Sequence, residues 1–190
     1  VPHGDGFQKH FYLNENHSKP ILVGDKAYGD LADAIAAVPS GTETTVELMA
    51  DITVDGVAVE IPSGKKVTIN LNGHTISSEG FKGRPIINKG QLTVAGNGKI
   101  TSEGCGENGT GAISNQGTLT IENGTFSGGA GANGMAISNG AGATCTIKDG
   151  QIIGCPRGIQ NLGTLTVDGG TFTGSDTYSG NEGNAIINDH

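Results

Sequence analysis

This chain of 190 residues contains no Trp, and its Phe and Tyr amount to only 4% of the sequence. A core assembled around large aromatic rings is therefore excluded. Cysteine is equally sparse: Cys105, Cys145 and Cys155, at irregular spacing, form neither a disulfide framework nor a zinc-ligand pattern. With 6 Pro and no glycine at every third position, collagen is excluded. No apolar run approaches the ~20 residues that a membrane-spanning helix needs, so no membrane insertion is expected. Basic residues are few, 11 Lys+Arg against 19 Asp+Glu, and the formal charge of −8 argues against nucleic acid or an anionic membrane as partner. The charged fraction of 16%, with apolar residues on a regular beat, argues against disorder.

Glycine is what the chain has in excess. Its 34 residues make about 18% of the sequence, against roughly 7% in ordinary proteins. The length suits a single domain. The first residue is Val1, with no signal-peptide pattern ahead of the fold, which points to a mature or trimmed piece of a longer exported protein. The expected location is secreted or cell-surface, in a bacterium.

From residue 84 a three-part phrase repeats. Its first part is Ile86-Ile87-Asn88, Ile113-Ser114-Asn115, Ile137-Ser138-Asn139, Ile159-Gln160-Asn161 and Ile186-Ile187-Asn188, with Asn-to-Asn spacings of 27, 24, 22 and 27. The second is Gln91-Leu92-Thr93-Val94, Thr118-Leu119-Thr120-Ile121, Thr144-Cys145-Thr146-Ile147 and Thr164-Leu165-Thr166-Val167. The third opens on glycine at Gly98, Gly124, Gly150 and Gly170. Each part alternates apolar and polar residues, the period of a strand. Asn-Gln-Gly, Glu-Asn-Gly, Lys-Asp-Gly and Asp-Gly-Gly between them are expected to supply positive φ at sharp corners. Short strands of this kind bury their apolar side only by stacking on the next repeat. The chain is therefore expected to be an all-β solenoid with three faces.

Upstream the phrase is degraded but present, at Thr45–Leu48, Ile52–Val54, Val57–Ile61, Val67–Leu71 and Thr75–Ser77. Over residues 30–38, Leu31, Ile35 and Val38 fall at helical spacing behind Asp30 as N-cap, with Pro39-Ser40-Gly41 as the stop. This helix is expected to cover the first edge of the solenoid. Residues 1–24 are taken as an irregular lead-in and 25–190 as one domain. The C-terminal edge, at Ala185–Asn188, is expected to be uncapped, open to further domains of a longer chain or to a neighbour.

The stretch Tyr28–Ser77 and the later Ile-x-Asn-x-Gly-Thr-Leu-Thr-Ile-x-x-Gly-Thr-Phe phrase resemble right-handed parallel β-helix domains, similar to the pectate-lyase-like superfamily and found in surface proteins of Gram-positive bacteria. The resemblance covers roughly residues 25–190. It implies a right-handed parallel β-helix of about five to six coils, a handedness that parallel crossovers also favour.

The column Asn88, Asn115, Asn139, Asn161 and Asn188 is expected to be a structural amide ladder. Thr118, Thr144 and Thr164 form one outward column, and Thr93, Thr120, Thr146 and Thr166 another, with Thr68 and Asn70 breaking the pairing upstream. Thr-x-Thr on successive coils resembles the flat hydroxyl face of ice-binding solenoids. The loops from third to first strands form one wall, and the short one at Gly154–Arg157 a notch. Into it Arg157 would project with Asp176, Tyr178 and Glu182, and Arg84 stands in an equivalent place. Arg, two acids and Tyr suit a sugar or an acidic polymer. A β-helix lyase would need clustered acids around calcium, and a glycosidase two carboxylates ~5–5.5 or ~6.5–9.5 Å apart. Adjacent coils could place Asp149 and Asp168 near each other, but both sit in turn positions that favour Asp or Asn anyway. His3, His10 and His17, seven residues apart, give only weak support for a metal site, and a flexible lead-in is the expected reading. Cys145 replaces Leu in an apolar column and is expected to be a buried free thiol. Cys105 and Cys155 are expected free as well.

The residues lean against an enzyme, since no acid–base pair, nucleophile or metal cluster is complete. No cofactor is called for, and calcium has no motif. The expected role is a non-catalytic adhesion or carbohydrate-binding module, whose partner is a carbohydrate or a host or cell-surface protein. A β-helix lyase or glycoside hydrolase, a structural spacer and an ice-binding face are the alternatives.

Overall fold

The computed structural model describes residues 19–79, 83–102, 111–128, 134–154, 157–174 and 183–189. Three sheets, of eight, six and six strands, wrap one column of apolar side chains as a β-solenoid of about five turns. The first face stacks β5 (Val59–Ile61), β8 (Ile86–Asn88), β11 (Ile113–Asn115), β14 (Met135–Asn139), β17 (Arg157–Asn161) and β20 (Ile186–Asn188). The second stacks β3 (Glu43–Leu48), β6 (Lys66–Asn70), β9 (Gln91–Ala95), β12 (Thr118–Ile121), β15 (Thr144–Ile147) and β18 (Thr164–Val167). The third stacks β4 (Ile52–Asp55), β7 (Thr75–Glu79), β10 (Lys99–Ser102), β13 (Thr125–Ser127), β16 (Gln151–Ile153) and β19 (Thr171–Thr173). All these coil-to-coil pairings are parallel and in register.

Alternation drives the closure. On the second face Val46, Ile69, Val94, Ile121 and Ile147 follow one another inward, and on the third Ile76, Ile100, Phe126 and Ile152 do the same, all fully buried. A buried Ile contributes roughly 1.5–3 kcal/mol, and each column repeats that gain coil after coil. The lumen is narrow, so aliphatic side chains fill it and Phe126 is the one ring fully buried among the described residues.

The corners use glycine for two different reasons. Directly before β10, β13, β16 and β19 the glycine carries a positive φ: 154° at Gly98, 115° at Gly124 and Gly150, 94° at Gly170. The Asn-Gln-Gly corner differs from the sequence expectation, because Gly117 lacks a positive φ. There a Cβ would fall on the Gly90 carbonyl oxygen of the coil below, so close approach selects glycine.

The N-terminal edge is closed more fully than the sequence suggests. A hairpin of β1 (Ile21–Val23) and β2 (Lys26–Tyr28) turns through Gly24-Asp25, and β1 pairs antiparallel with β3. Residues 21–23 thus belong to the sheet although they fall in the stretch taken as lead-in. Helix α1 (Leu31–Ala37) lays Leu31, Ala34 and Ile35 on the core, with the Asp30 side chain accepting from the Ala32 and Asp33 amides. Its C-terminus is held by Lys65, whose Nζ donates to the carbonyls of Ile35, Ala36 and Val38 at 2.6, 2.7 and 2.8 Å. The strand expected over Val57–Ile61 starts only at Val59; Val57 is 78% exposed in the turn before it.

Candidate functional site: the threonine face

The second face carries the most regular polar surface among the described residues. Pairing places Thr45, Thr68, Thr93, Thr120, Thr146 and Thr166 side by side, one per coil. Thr68 therefore continues the column, and the full Thr-x-Thr pair is broken in its coil by Lys66 rather than by Asn70. The inward residues Val67 and Ile69 pack over Leu92 and Val94, and that match sets the register. A second column runs Glu43, Lys66, Gln91, Thr118, Thr144 and Thr164. Coils lie about 4.8 Å apart, so Thr118, Thr120, Thr144, Thr146, Thr164 and Thr166 form a flat three-by-two array. Among the described residues none of these six hydroxyls is spent on a hydrogen bond. Beside the array, Lys148 Nζ donates to Glu122 Oε1 at 2.8 Å. That hydrogen bond, then the Glu122 charge, raises the Lys148 ammonium above its ordinary value.

The first face contributes order rather than chemistry. Asn88 Nδ2 donates to Asn115 Oδ1 at 2.8 Å, Asn115 to Asn139 at 2.7 Å, Asn139 to Asn161 at 2.7 Å and Asn161 to Asn188 at 2.9 Å. The same amides reach the backbone of the next coil, as from Asn115 Nδ2 to Thr144 O at 2.9 Å. Asn88, Asn115 and Asn139 are fully buried. The ladder thus ties each first-face corner to the coil above it.

The arginine notch is assembled only in part. Arg157 opens β17 opposite Met135 and is half-buried, whereas Asp176, Tyr178 and Glu182 lie outside the described residues. Arg84 occupies the corresponding place in its own coil, but pairing through Ile86, Ile113, Ile137 and Ile159 sets it three coils away, about 14 Å at the usual strand spacing. Its Nε is shielded from solvent with no hydrogen-bond partner, and burial lowers the guanidinium below its ordinary value. The structure therefore keeps the two arginines apart.

Asp149 and Asp168 lie in corners of adjacent coils, one position out of register. Asp149 Oδ1 accepts from its own corner, the Gly150 amide, at 2.7 Å. Asp168 lies over Lys148, whose amide and its own bond in turn to the coil below. No three His, Cys, Asp or Glu side chains gather among the described residues. Cys145 is buried and free, and burial pushes its thiol up to about 12. Cys105, Cys155, His3, His10 and His17 fall outside the described residues. A cavity of about 160 Å³ between Gly29–Ala32 and the β4–β5 corner is smaller than the ~300 Å³ of ordinary ligand pockets.

Sequence reasoning found both threonine columns but shortened one of them. The signal for the full column was the matched pair of apolar flanks, Val67-Thr68-Ile69 against Leu92-Thr93-Val94. The fold and the site define the protein as a three-faced parallel β-solenoid with one flat hydroxyl face. No protein-family model, curated protein or solved structure matches the chain.

Proposed function

We propose that this solenoid is a non-catalytic binding module of an exported or cell-surface bacterial protein, and that its threonine face binds carbohydrate. The observation that carries this reading is the in-register array with uncommitted hydroxyls. A flat grid of hydroxyls and methyls complements the alternating hydroxyl and C–H surface of a polysaccharide chain. The resemblance to pectate-lyase-like β-helix domains of Gram-positive surface proteins supports the setting. It transfers no catalytic residue, because its matching positions, the Asn ladder and the corner glycines, hold the fold together. Binding on a rigid sheet also avoids the ordering cost that mobile side chains bring.

The test is a glycan array that includes uronate polymers and mucin-type sugars, run with calcium and again with chelator. Calcium-independent binding to a narrow set is the expected result. A calcium-dependent uronate hit overturns it in favour of lyase-type recognition, and a silent array overturns it in favour of a spacer or protein-binding adhesin. Ice binding is the second reading, favoured by the threonine column running through six coils. Inhibition of ice recrystallisation by the purified chain would support that alternative.

A further inference from the structure

Asn followed by Gly undergoes one spontaneous reaction more readily than other pairs. The glycine nitrogen attacks the Asn side-chain carbon, ammonia leaves, and a five-membered succinimide forms, which water then opens. The rate depends on whether the fold lets that nitrogen and carbon meet. Four such pairs lie among the described residues: Asn72-Gly73, Asn97-Gly98, Asn123-Gly124 and Asn139-Gly140. They read alike along the chain, and the fold treats them differently.

Three of the pairs are held back. At Asn139 both ends of the amide are engaged in the ladder, and the Gly140 amide donates to the Asn115 carbonyl at 2.8 Å. At Asn72 the side chain is anchored on the Leu48 carbonyl of the coil below at 3.1 Å, and the Gly73 amide donates to the Asn97 carbonyl. At Asn97 the side-chain oxygen accepts from Asn123 Nδ2 at 3.1 Å, so it is engaged across the coil instead of on the Gly98 amide.

Asn123 is arranged the other way. Its Oδ1 accepts from the Gly124 amide at 2.7 Å, which sets the attacking nitrogen beside Cγ. Among the described residues that is the only bond the Gly124 amide makes, so no neighbouring coil ties the nitrogen down. Packing keeps glycine here, since φ is 115° and a Cβ would press on Leu71 and Phe126. Asn123 is half-buried, leaving a way for ammonia out and water in. In the next coil Asp149 makes the same contact, its Oδ1 accepting from the Gly150 amide at 2.7 Å with the same φ of 115°. The corner therefore accommodates an aspartate without rearrangement.

We propose that Asn123 is a self-modification site, converting through a succinimide with Gly124 to an acidic residue while the other three pairs persist. The Gly124 nitrogen bonds to Cγ, and its proton departs with the side-chain NH2 as ammonia. Water then adds at one succinimide carbonyl and breaks the C–N bond there: at Cγ it yields aspartate, at the main-chain carbon isoaspartate. Either product adds one negative charge next to the Glu122–Lys148 pair that borders the threonine face, and loses the Nδ2 bond to Asn97. This inference stands independently of what that face binds.

The test incubates the full chain in mildly alkaline buffer, folded and, separately, in denaturing urea. Each Asn-Gly peptide is then quantified by mass spectrometry after digestion at acid pH, conversion being a gain of one mass unit. The rate of each site in urea is its own reference. In the folded chain position 123 is expected to keep its reference rate to within a few-fold while Asn72, Asn97 and Asn139 slow. That leaves it ahead by about tenfold or more, the ratio that ~1.4 kcal/mol off the barrier gives. Slowing of Asn123 along with the rest, or Asn97 or Asn139 in the lead, overturns the proposal. Asn123→Asp should melt within a few degrees of the parent, and a larger loss overturns the claim that the corner accommodates the product.

Discussion

Replacing Asn115 with Leu isolates what the ladder contributes. The Asn115 amide accepts from Asn88 Nδ2 at 2.8 Å and Gly117 N at 3.3 Å, and donates to Asn139 Oδ1 at 2.7 Å, Thr144 O at 2.9 Å and Gly117 O at 3.3 Å. With Leu in place, Asn88 Nδ2 keeps Thr118 O and Gly117 O keeps the Thr144 amide. Asn139 Oδ1 loses its partner inside the wall of the rod, and the half-buried Gly117 amide loses Asn115 as well. Stranding a buried polar group costs about 1–3 kcal/mol, with a smaller addition from the Gly117 amide, which water can reach, before the added apolar burial offsets a part. On a chain of this size that lowers the melting temperature by roughly 3–10 °C. The matched control is Asn188→Leu, which removes the last rung, at an exposed position, and should cost under ~1 kcal/mol. Urea titration followed by circular dichroism gives both values, with the slope unchanged if the unfolded surface is the same. Equal losses at the two positions, or none at Asn115, would refute the ladder as a source of stability.

Three further outcomes follow from the packing. Ile121→Asp buries an unpaired carboxylate at a fully enclosed position and should abolish cooperative unfolding in a thermal melt; a parent-like melt would reverse the assignment of inward and outward residues. Lys65→Met keeps the aliphatic stem but removes three charge-assisted bonds to the helix carbonyls, costing about 2–3 kcal/mol with the loss of protection centred on α1 in hydrogen exchange. Cys145 holds its proton until about pH 12 when folded and until ~8.5 when unfolded. Above the unfolded value the unfolded chain binds fewer protons, so the stability this group contributes is full below ~8.5 and falls by up to ~1.4 kcal/mol per pH unit as pH rises toward the folded value. Cys145→Leu should flatten the denaturation midpoint between pH 9 and 11 relative to the parent, and identical profiles would show that the thiol is not shielded.

The repeats were legible because every coil offers the same three environments, so the same residues recur wherever the environment recurs. Ile-x-Asn marks one inward aliphatic and one amide rung, and glycine marks each corner that needs it. The hairpin Ile21–Tyr28 occurs once, which hides it from any search for repeats, although Gly24-Asp25 between Ile21-Leu22-Val23 and Lys26-Ala27-Tyr28 is a two-residue turn signal. The Thr-x-Thr pairing does stop upstream, at Lys66 and Gln91, while Thr68 keeps its place in the column because the inward packing of Val67 and Ile69 sets the register. The different glycine at position 117 has the same origin: the string shows a corner, but only the stacked coil shows how near the next carbonyl lies. Arg84 and Arg157 look equivalent along the chain and are, yet equivalence in a solenoid separates residues along the axis instead of bringing them together.

The most direct test of the threonine face compares glycan binding by the parent chain with that of Thr120→Val/Thr146→Val and of Arg157→Ala. Val keeps the shape and strand preference of Thr, so the double variant should melt like the parent. On the glycan the parent recognises, the account predicts that affinity falls about tenfold or more in the double variant, since ~1.4 kcal/mol of lost hydrogen bonding is a tenfold change. Arg157→Ala should bind as the parent does. Binding that survives loss of both hydroxyls and fails without Arg157 would contradict the account and move the site to the notch.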